Sequence, residues 1–178
     1  FYIEYFQEPG RAEAEIAEDP GRWLEGFYYS ASGDTPQASE SARTMAWVAP
    51  GARLSDRFSY PLVPLSWLSE DDLAFYIEEF RRSGFTGGLN RYRCLDSDWF
   101  DLRSFHGVPI HQPSFFIGGE RDGPTLFGKG SISRYPQTLP NLRSLTILPK
   151  VGHWIQQEDP VGVNRVLLSF LQTVPQCS

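Results

Sequence analysis

Only two segments of this 178-residue chain read as buried strands, and both lie late in it. Ser114-Phe115-Phe116-Ile117 is a short apolar run ended by Gly118-Gly119, and Leu145-Thr146-Ile147-Leu148 is a second, ended by Pro149. Residues 126 to 139 between them are expected to hold a helix, and residues 158 to 172, with Val163, Val166, Leu167, Phe170 and Leu171, a final amphipathic one. Strand, helix, strand, helix is the pattern of a parallel sheet. Two strands alone cannot make such a sheet with both faces covered, so further strands are expected upstream of Phe1, or the segment leans on another chain. The first residues already read as the middle of a structured segment, with no Met and no basic leader, and the chain is expected to be part of a longer protein.

Upstream the texture is helical. Pro9 suits the first turn of a helix carrying Ala12, Ala14 and Ile16, and an aromatic-rich run from Arg22 to Tyr29 breaks at Gly33-Asp34-Thr35-Pro36. Residues 30 to 66 have no sustained period and are expected to make a long excursion over a pocket. The clearest helix spans 70 to 82. Ser69 is a natural N-cap, Asp71 and Asp72 suit the first turn, and Leu73, Tyr76, Ile77 and Phe80 make one apolar stripe before a stop at Gly84. A further short helix is expected from Leu89 to Phe100. The organisation is therefore α/β, with a mostly helical region over 1–108 and the closing strands and helices of an α/β domain over 109–178.

Charge removes several function classes. Sixteen Lys and Arg against 22 Asp and Glu give a net charge of −6, and no basic cluster is longer than Arg81-Arg82. Such a surface is unsuited to phosphate backbones or anionic membranes. Stretches such as Leu62-Val63-Pro64-Leu65 fall far short of the roughly 20 apolar residues that span a bilayer. Cys94 and Cys177 are too few for a disulfide framework and suggest reduced thiols in a cytoplasmic setting.

Of the three histidines, His153 directly follows the second strand, where open α/β sheets form their ligand crevice. Taken alone it reads more simply as a loop histidine satisfied by backbone groups. Asp122, in the loop after the preceding strand, is placed to accept from its Nδ1–H if the two strands are neighbours. Asp before Gly is also an everyday turn signal. Glu120, two residues away, ranks second for the acid role. An acid after one strand and a histidine after the next are the last two members of the chain order of α/β-hydrolases.

Four segments then act together. Tyr5-Phe6-Gln7-Glu8-Pro9-Gly10, Leu89-Asn90-Arg91-Tyr92-Arg93, Gly119-Glu120-Arg121-Asp122 and Gly152-His153-Trp154-Ile155-Gln156-Gln157-Glu158 occur in this order. Together they resemble the soluble-type epoxide hydrolases of the α/β-hydrolase fold, bacterial members above all, over the lid and the last two strands. The resemblance implies a helical lid over 1–108 and the C-terminal part of the hydrolase core over 109–178. It implies that two lid tyrosines, Tyr5 and Tyr92, donate hydrogen bonds to the epoxide oxygen, where opening the ring releases an alkoxide that needs preorganised donors. Tyr2 is a near neighbour of Tyr5 and open to confusion with it. His153 would be the general base that activates water against a covalent alkyl-enzyme ester, and Asp122 its orienting acid. Phe6 and Trp154 would line the pocket, although core packing serves each equally well.

The family's nucleophile, an Asp on a strand-to-helix elbow, has no counterpart here, nor has the upstream loop of its oxyanion hole. His106-Gly107-Val108-Pro109 shares letters with that loop but follows the lid region, and is read as coincidence. The resemblance therefore implies an epoxide hydrolase whose nucleophile lies in an N-terminal half outside this sequence, with no metal and no organic cofactor. The expected partners are a small hydrophobic epoxide, water, that N-terminal half and, as one arrangement, a second copy in a homodimer. Two rivals stand beside it: a haloalkane dehalogenase or esterase of the same fold, and an inactive ligand-binding fragment.

Overall fold

The computed structural model describes residues 1–36 and 46–174, so Cys177 lies outside the described residues. It divides into two compact units, Phe1–Ser30 with Glu40–Ser104, and Ala31–Ser39 with Phe105–Ser178. The chain thus changes unit a few residues before position 109. Residues 31–36, expected with the helical region, belong to the second unit, because the backbone around Gly33 is bonded into the loops that follow its two strands.

The first unit is built from helices. These are α1 (Tyr2–Tyr5), α2 (Arg11–Glu18), α3 (Pro20–Ala31, whose last residue counts with the second unit), α4 (Glu70–Ser83), α5 (Thr86–Arg93) and α6 (Leu95–Leu102), with a 3-10 turn at Leu54–Arg57. Helix α4 starts where Ser69 Oγ accepts from the Asp72 N–H at 3.1 Å and stops at Gly84, whose φ of 71° favours a residue without Cβ. Its stripe of Leu73, Tyr76, Ile77 and Phe80 packs against a buried cluster that includes Phe6, Ile16, Trp23, Leu24 and Leu89. Pro9 does not enter the first turn of α2. Gly10 is the N-cap, at φ 87°, and Glu13 reaches back to accept from its N–H at 3.0 Å. The expected helix from Leu89 to Phe100 is two helices, because Cys94, with ψ near zero, is both the C-cap of α5 and the N-cap of α6.

One polar group sits inside this apolar cluster. Glu15 is 6% exposed, and its carboxylate accepts from the Tyr5 hydroxyl, Trp23 Nε1 (3.1 Å), the Leu54 N–H (3.2 Å) and the Ser55 N–H (2.9 Å). Burial alone would push its pKa up, but the hydrogen bonds from Tyr5, Ser55 and Trp23 outweigh that and hold it below the ordinary value.

The second unit holds a sheet of two strands among the described residues, β1 (Ser114–Gly119) and β2 (Leu142–Leu148). They pair in parallel, with Phe116 opposite Leu145 and Gly119 opposite Leu148. The connection does not hold one helix over 126 to 139 but three short ones, α7 (Gly123–Phe127), α8 (Lys129–Ile132) and α9 (Tyr135–Thr138). Gly128 ends the first, and Pro136 must sit at the start of a helix because it lacks an N–H. After β2 come α10 (Ile155–Glu158) and α11 (Pro160–Leu171), separated by Asp159, whose side chain caps α11 through the Gly162 N–H at 2.8 Å. Phe170 of α11 stacks on Phe115 of β1, ring centres 4.5 Å apart. The opposite side of β2 leaves Leu145 and Ile147 exposed.

The Glu15 network makes a direct stability prediction. Tyr5→Phe removes one hydrogen bond to a buried charge and is expected to cost about 1.5–3 kcal/mol. Glu15→Ala strands four donors at once and is expected to cost more, on the order of 3–5 kcal/mol. Urea unfolding of the three proteins measures both, and a Tyr5→Phe midpoint equal to wild type would count against a structural role for the hydroxyl.

Candidate active site

The parallel register brings the two loop residues together. Asp122 lies three residues beyond Gly119, and His153 five beyond Leu148, the paired ends of neighbouring strands. The His153 Nδ1 stands 2.7 Å from Asp122 Oδ1. A carboxylate only accepts, so in the neutral imidazole that this contact favours Nδ1 carries the proton and Nε2 the lone pair. Asp122 Oδ2 is occupied separately, by the Thr125 N–H (2.9 Å) and hydroxyl (2.7 Å). The acid side chain is 11% exposed and the imidazole 43%, the division needed between an orienting group and one that meets a solute. Glu120, the rival acid, is turned away and accepts from the Lys150 N–H at 2.8 Å.

The loops beneath are laced together. The Glu120 N–H donates to Leu148 O and the Arg121 N–H to Val151 O, each at 2.9 Å, while the Arg121 guanidinium donates to Gly33 O. His153 donates its own N–H to Ala31 O at 2.9 Å. Trp154 sets its ring edge-on to the imidazole, centres 4.8 Å apart. Asp122, His153 and Trp154 share an open cleft of about 510 Å³ with Phe116, Pro124 and Tyr135.

In the first unit the structure parts the two tyrosines named from the sequence. Tyr5 is buried and gives its hydroxyl to Glu15 inside the apolar cluster. Its phenol is pushed up, first by burial and then by the Glu15 carboxylate. Tyr2 instead lies edge-on to Tyr92, ring centres 5.7 Å apart, with Phe6 at 5.8 Å from Tyr2 and 5.0 Å from Tyr92. Phe6 is 4% exposed and belongs to the buried cluster. Tyr92 is half-buried, and burial raises its pKa.

Two side chains tie Tyr92 to the segment that bears Tyr2. Gln7 Nε2 donates to Tyr92 O at 2.9 Å and to Ile3 O at 3.0 Å. The Arg93 guanidinium makes a two-pronged pair with Glu13, at 2.8 and 3.0 Å, and donates to Phe6 O at 2.9 Å. The Arg93 hydrogen bonds hold the Glu13 carboxyl down to about 2, against an ordinary 4.5.

No family model matches the chain. It is 40% identical over 189 residues to epoxide hydrolase B of Mycobacterium tuberculosis, an alignment covering 96% of this chain and 53% of that protein. Among solved structures, an epoxide hydrolase from an endophytic Streptomyces matches with a TM-score of 0.91 and 51% identity, over 97% of this chain and 51% of the other. Epoxide hydrolase A from Mycobacterium thermoresistibile matches at 0.86 and 35%, over 99% and 53%. The chain is a homologue of the epoxide hydrolases and has part of their α/β-hydrolase fold. It spans about half the length of the curated relatives it matches.

Among the described residues no cluster of three or more His, Cys, Asp and Glu is arranged to hold a metal, and no helix is long and apolar enough to cross a membrane. His106 is exposed. Cys94, the one cysteine described, is free and exposed. Tyr2 and Phe6 are spaced i, i+4 and so share a helix face, while Tyr5 faces elsewhere.

Because the folded Glu13 carboxyl titrates below its ordinary value, its contribution to stability is full above about pH 4.5 and lost as pH falls towards 2. The wild-type melting temperature is therefore expected to fall more steeply across this window than that of Glu13→Gln. Circular dichroism melts at pH 7, 4.5, 3.5 and 2.5 read the difference, and parallel curves would sink it.

Proposed function

We propose that these residues belong to an enzyme that opens epoxides to vicinal diols through an alkyl-enzyme ester. The observation that carries this reading is the His153–Asp122 hydrogen bond across the ends of adjacent parallel strands, in a homologue of epoxide hydrolases. The nucleophile in this reading is an Asp outside the present residues. Its carboxylate attacks an epoxide carbon, the C–O bond breaks, and the oxygen leaves as an alkoxide that takes a proton from a phenol. His153 Nε2 then takes a proton from water, the hydroxide attacks the ester carbonyl, and diol departs with the carboxylate restored; the proton gained by the imidazole returns through water to the phenolate, which restores both groups. Asp122 holds the tautomer and stabilises the imidazolium that forms.

The phenols in this proposal are Tyr2 and Tyr92 rather than Tyr5. Two facts support the exchange: the Tyr5 hydroxyl is already given to Glu15, and the ring of Tyr2 rests against that of Tyr92. Paired donors also set this chemistry apart from haloalkane dehalogenation, whose leaving halide takes no proton. The substrate is a small hydrophobic epoxide, the co-substrate water, and the cytoplasm the proposed compartment.

The test uses the complete protein with a small aryl epoxide. His153→Ala is expected to lose diol formation by about 10²–10⁴-fold and to accumulate an ester visible as an added substrate mass in the intact protein. Tyr2→Phe and Tyr92→Phe are each expected to slow the formation of that ester, while Tyr5→Phe acts on stability first. Wild-type rates in His153→Ala, or halide release from haloalkanes without diol formation, would overturn the reading.

A further inference from the structure

Two backbone N–H groups from distant parts of the second unit point at one spot beneath His153. Gly33 and Gly152 approach so closely that a Cβ on Gly152 would stand 2.3 Å from Gly33 N, and one on Gly33 only 2.1 Å from Lys150 O. Both residues must therefore be glycine. Their N–H groups are side by side, repel each other, and are shielded from water, so they need a common acceptor. Glu158 Oε2 supplies it, at 2.9 Å from Gly33 N and 2.8 Å from Gly152 N. The other oxygen, Oε1, accepts from the Trp154 N–H at 3.0 Å. One carboxylate thus grips the chain on both sides of His153 and fastens it to the segment that accepts the His153 N–H through Ala31 O.

A capping role does not account for this. Glu158 closes the short helix Ile155–Glu158, and capping would explain the Trp154 contact alone; the Gly33 and Gly152 donors lie outside that helix. The loop needs an external hold because it departs from ordinary backbone. Lys150 sits at φ 64°, a left-handed conformation that a lysine adopts at a cost. Free of that hold, the imidazole would sample directions in which Nδ1 no longer meets Asp122 Oδ1.

We infer that Glu158 is a positioning residue for His153, acting through the backbone N–H groups of Gly33, Gly152 and Trp154 to set the angle at which the imidazole meets Asp122. The catalytic meaning of that angle rests on the proposed role of His153 as general base, whereas the positioning itself does not.

The experiment separates the two. In the 178-residue chain, the His153 Nδ1–H is followed by proton NMR with ¹⁵N-labelled histidine, where a proton held by a carboxylate appears far downfield and exchanges slowly. Glu158→Gln keeps the volume but cannot accept on both ends, so at least one of the three N–H groups loses its partner. The downfield signal is expected to broaden or vanish in Glu158→Gln while the amide spectrum elsewhere stays dispersed; an unchanged signal overturns the inference. Should Glu158→Gln fail to fold, amide exchange in the unmodified chain decides. Gly33, Gly152 and Trp154 are expected to be protected together, and fast exchange at Gly33 and Gly152 overturns it.

In the complete protein, Glu158→Gln is expected to slow ester hydrolysis by about 10- to 100-fold with ester formation little changed. A Glu158-dependent His153 signal in a protein that makes no diol would uphold the positioning and overturn only the proposed reaction.

Discussion

The register of β1 against β2 is the constraint on which the second unit depends. Asp122 and His153 are 31 residues apart in sequence, and no local preference brings them together. Parallel pairing does, because it puts both strand ends on one rim, with Gly119 opposite Leu148. A hairpin would send one of the two loops to the other end. The pairing also sets a demand for small residues, since a Cβ on Gly119 would stand 2.2 Å from Gly152 O and 2.4 Å from Val151 O. Close backbone contact is what lets a short loop carry an exposed imidazole without losing its direction.

Both units solve a related problem with a carboxylate. In the first, Glu15 sits among aromatic side chains and answers four donors; in the second, Glu158 answers three backbone N–H groups. Neither has a basic side chain hydrogen-bonded to its carboxylate oxygens among these contacts. Charge-assisted hydrogen bonds compensate the loss of hydration, and each acceptor specifies one arrangement of the segments around it. For Glu15 the consequence reaches the tyrosines. By taking the Tyr5 hydroxyl inward, it fixes the rotation of α1 and leaves Tyr2 on the face that meets Phe6 and Tyr92.

How much of this the sequence disclosed follows from how local each signal is. Helix α4 was legible to within a residue at each end because its cap, its charges, its stripe and its stop all lie inside 16 consecutive residues. Both strands are legible as apolar runs, and the meeting of Asp122 with His153 follows from the fixed offset of each from its strand. The single helix expected over 126 to 139 was not there, because Gly128 and Pro136 interrupt a stretch whose composition otherwise suits a helix. Nothing near Tyr5 in sequence shows that Glu15, ten residues on, takes its hydroxyl. The position of residues 31–36 was equally hidden: Gly33 finds its partners near residues 121, 152 and 158.

The shifts of the aromatic hydroxyls bear on why a phenol, rather than a stronger acid, suits the proposed reaction. Burial raises the Tyr92 pKa, so the group stays protonated throughout the range in which an imidazole is neutral and able to act as a base. A carboxylic acid in the same place would be ionised there unless burial were extreme, and would repel the developing alkoxide. The raised phenol is a weaker acid, yet an alkoxide is far more basic than a phenolate, so proton transfer remains downhill once the C–O bond has broken. Before that moment the same phenol offers only an ordinary hydrogen bond to a neutral ether oxygen. Its stabilisation therefore grows along the reaction, and binding that strengthens only towards the transition state is what lowers a barrier.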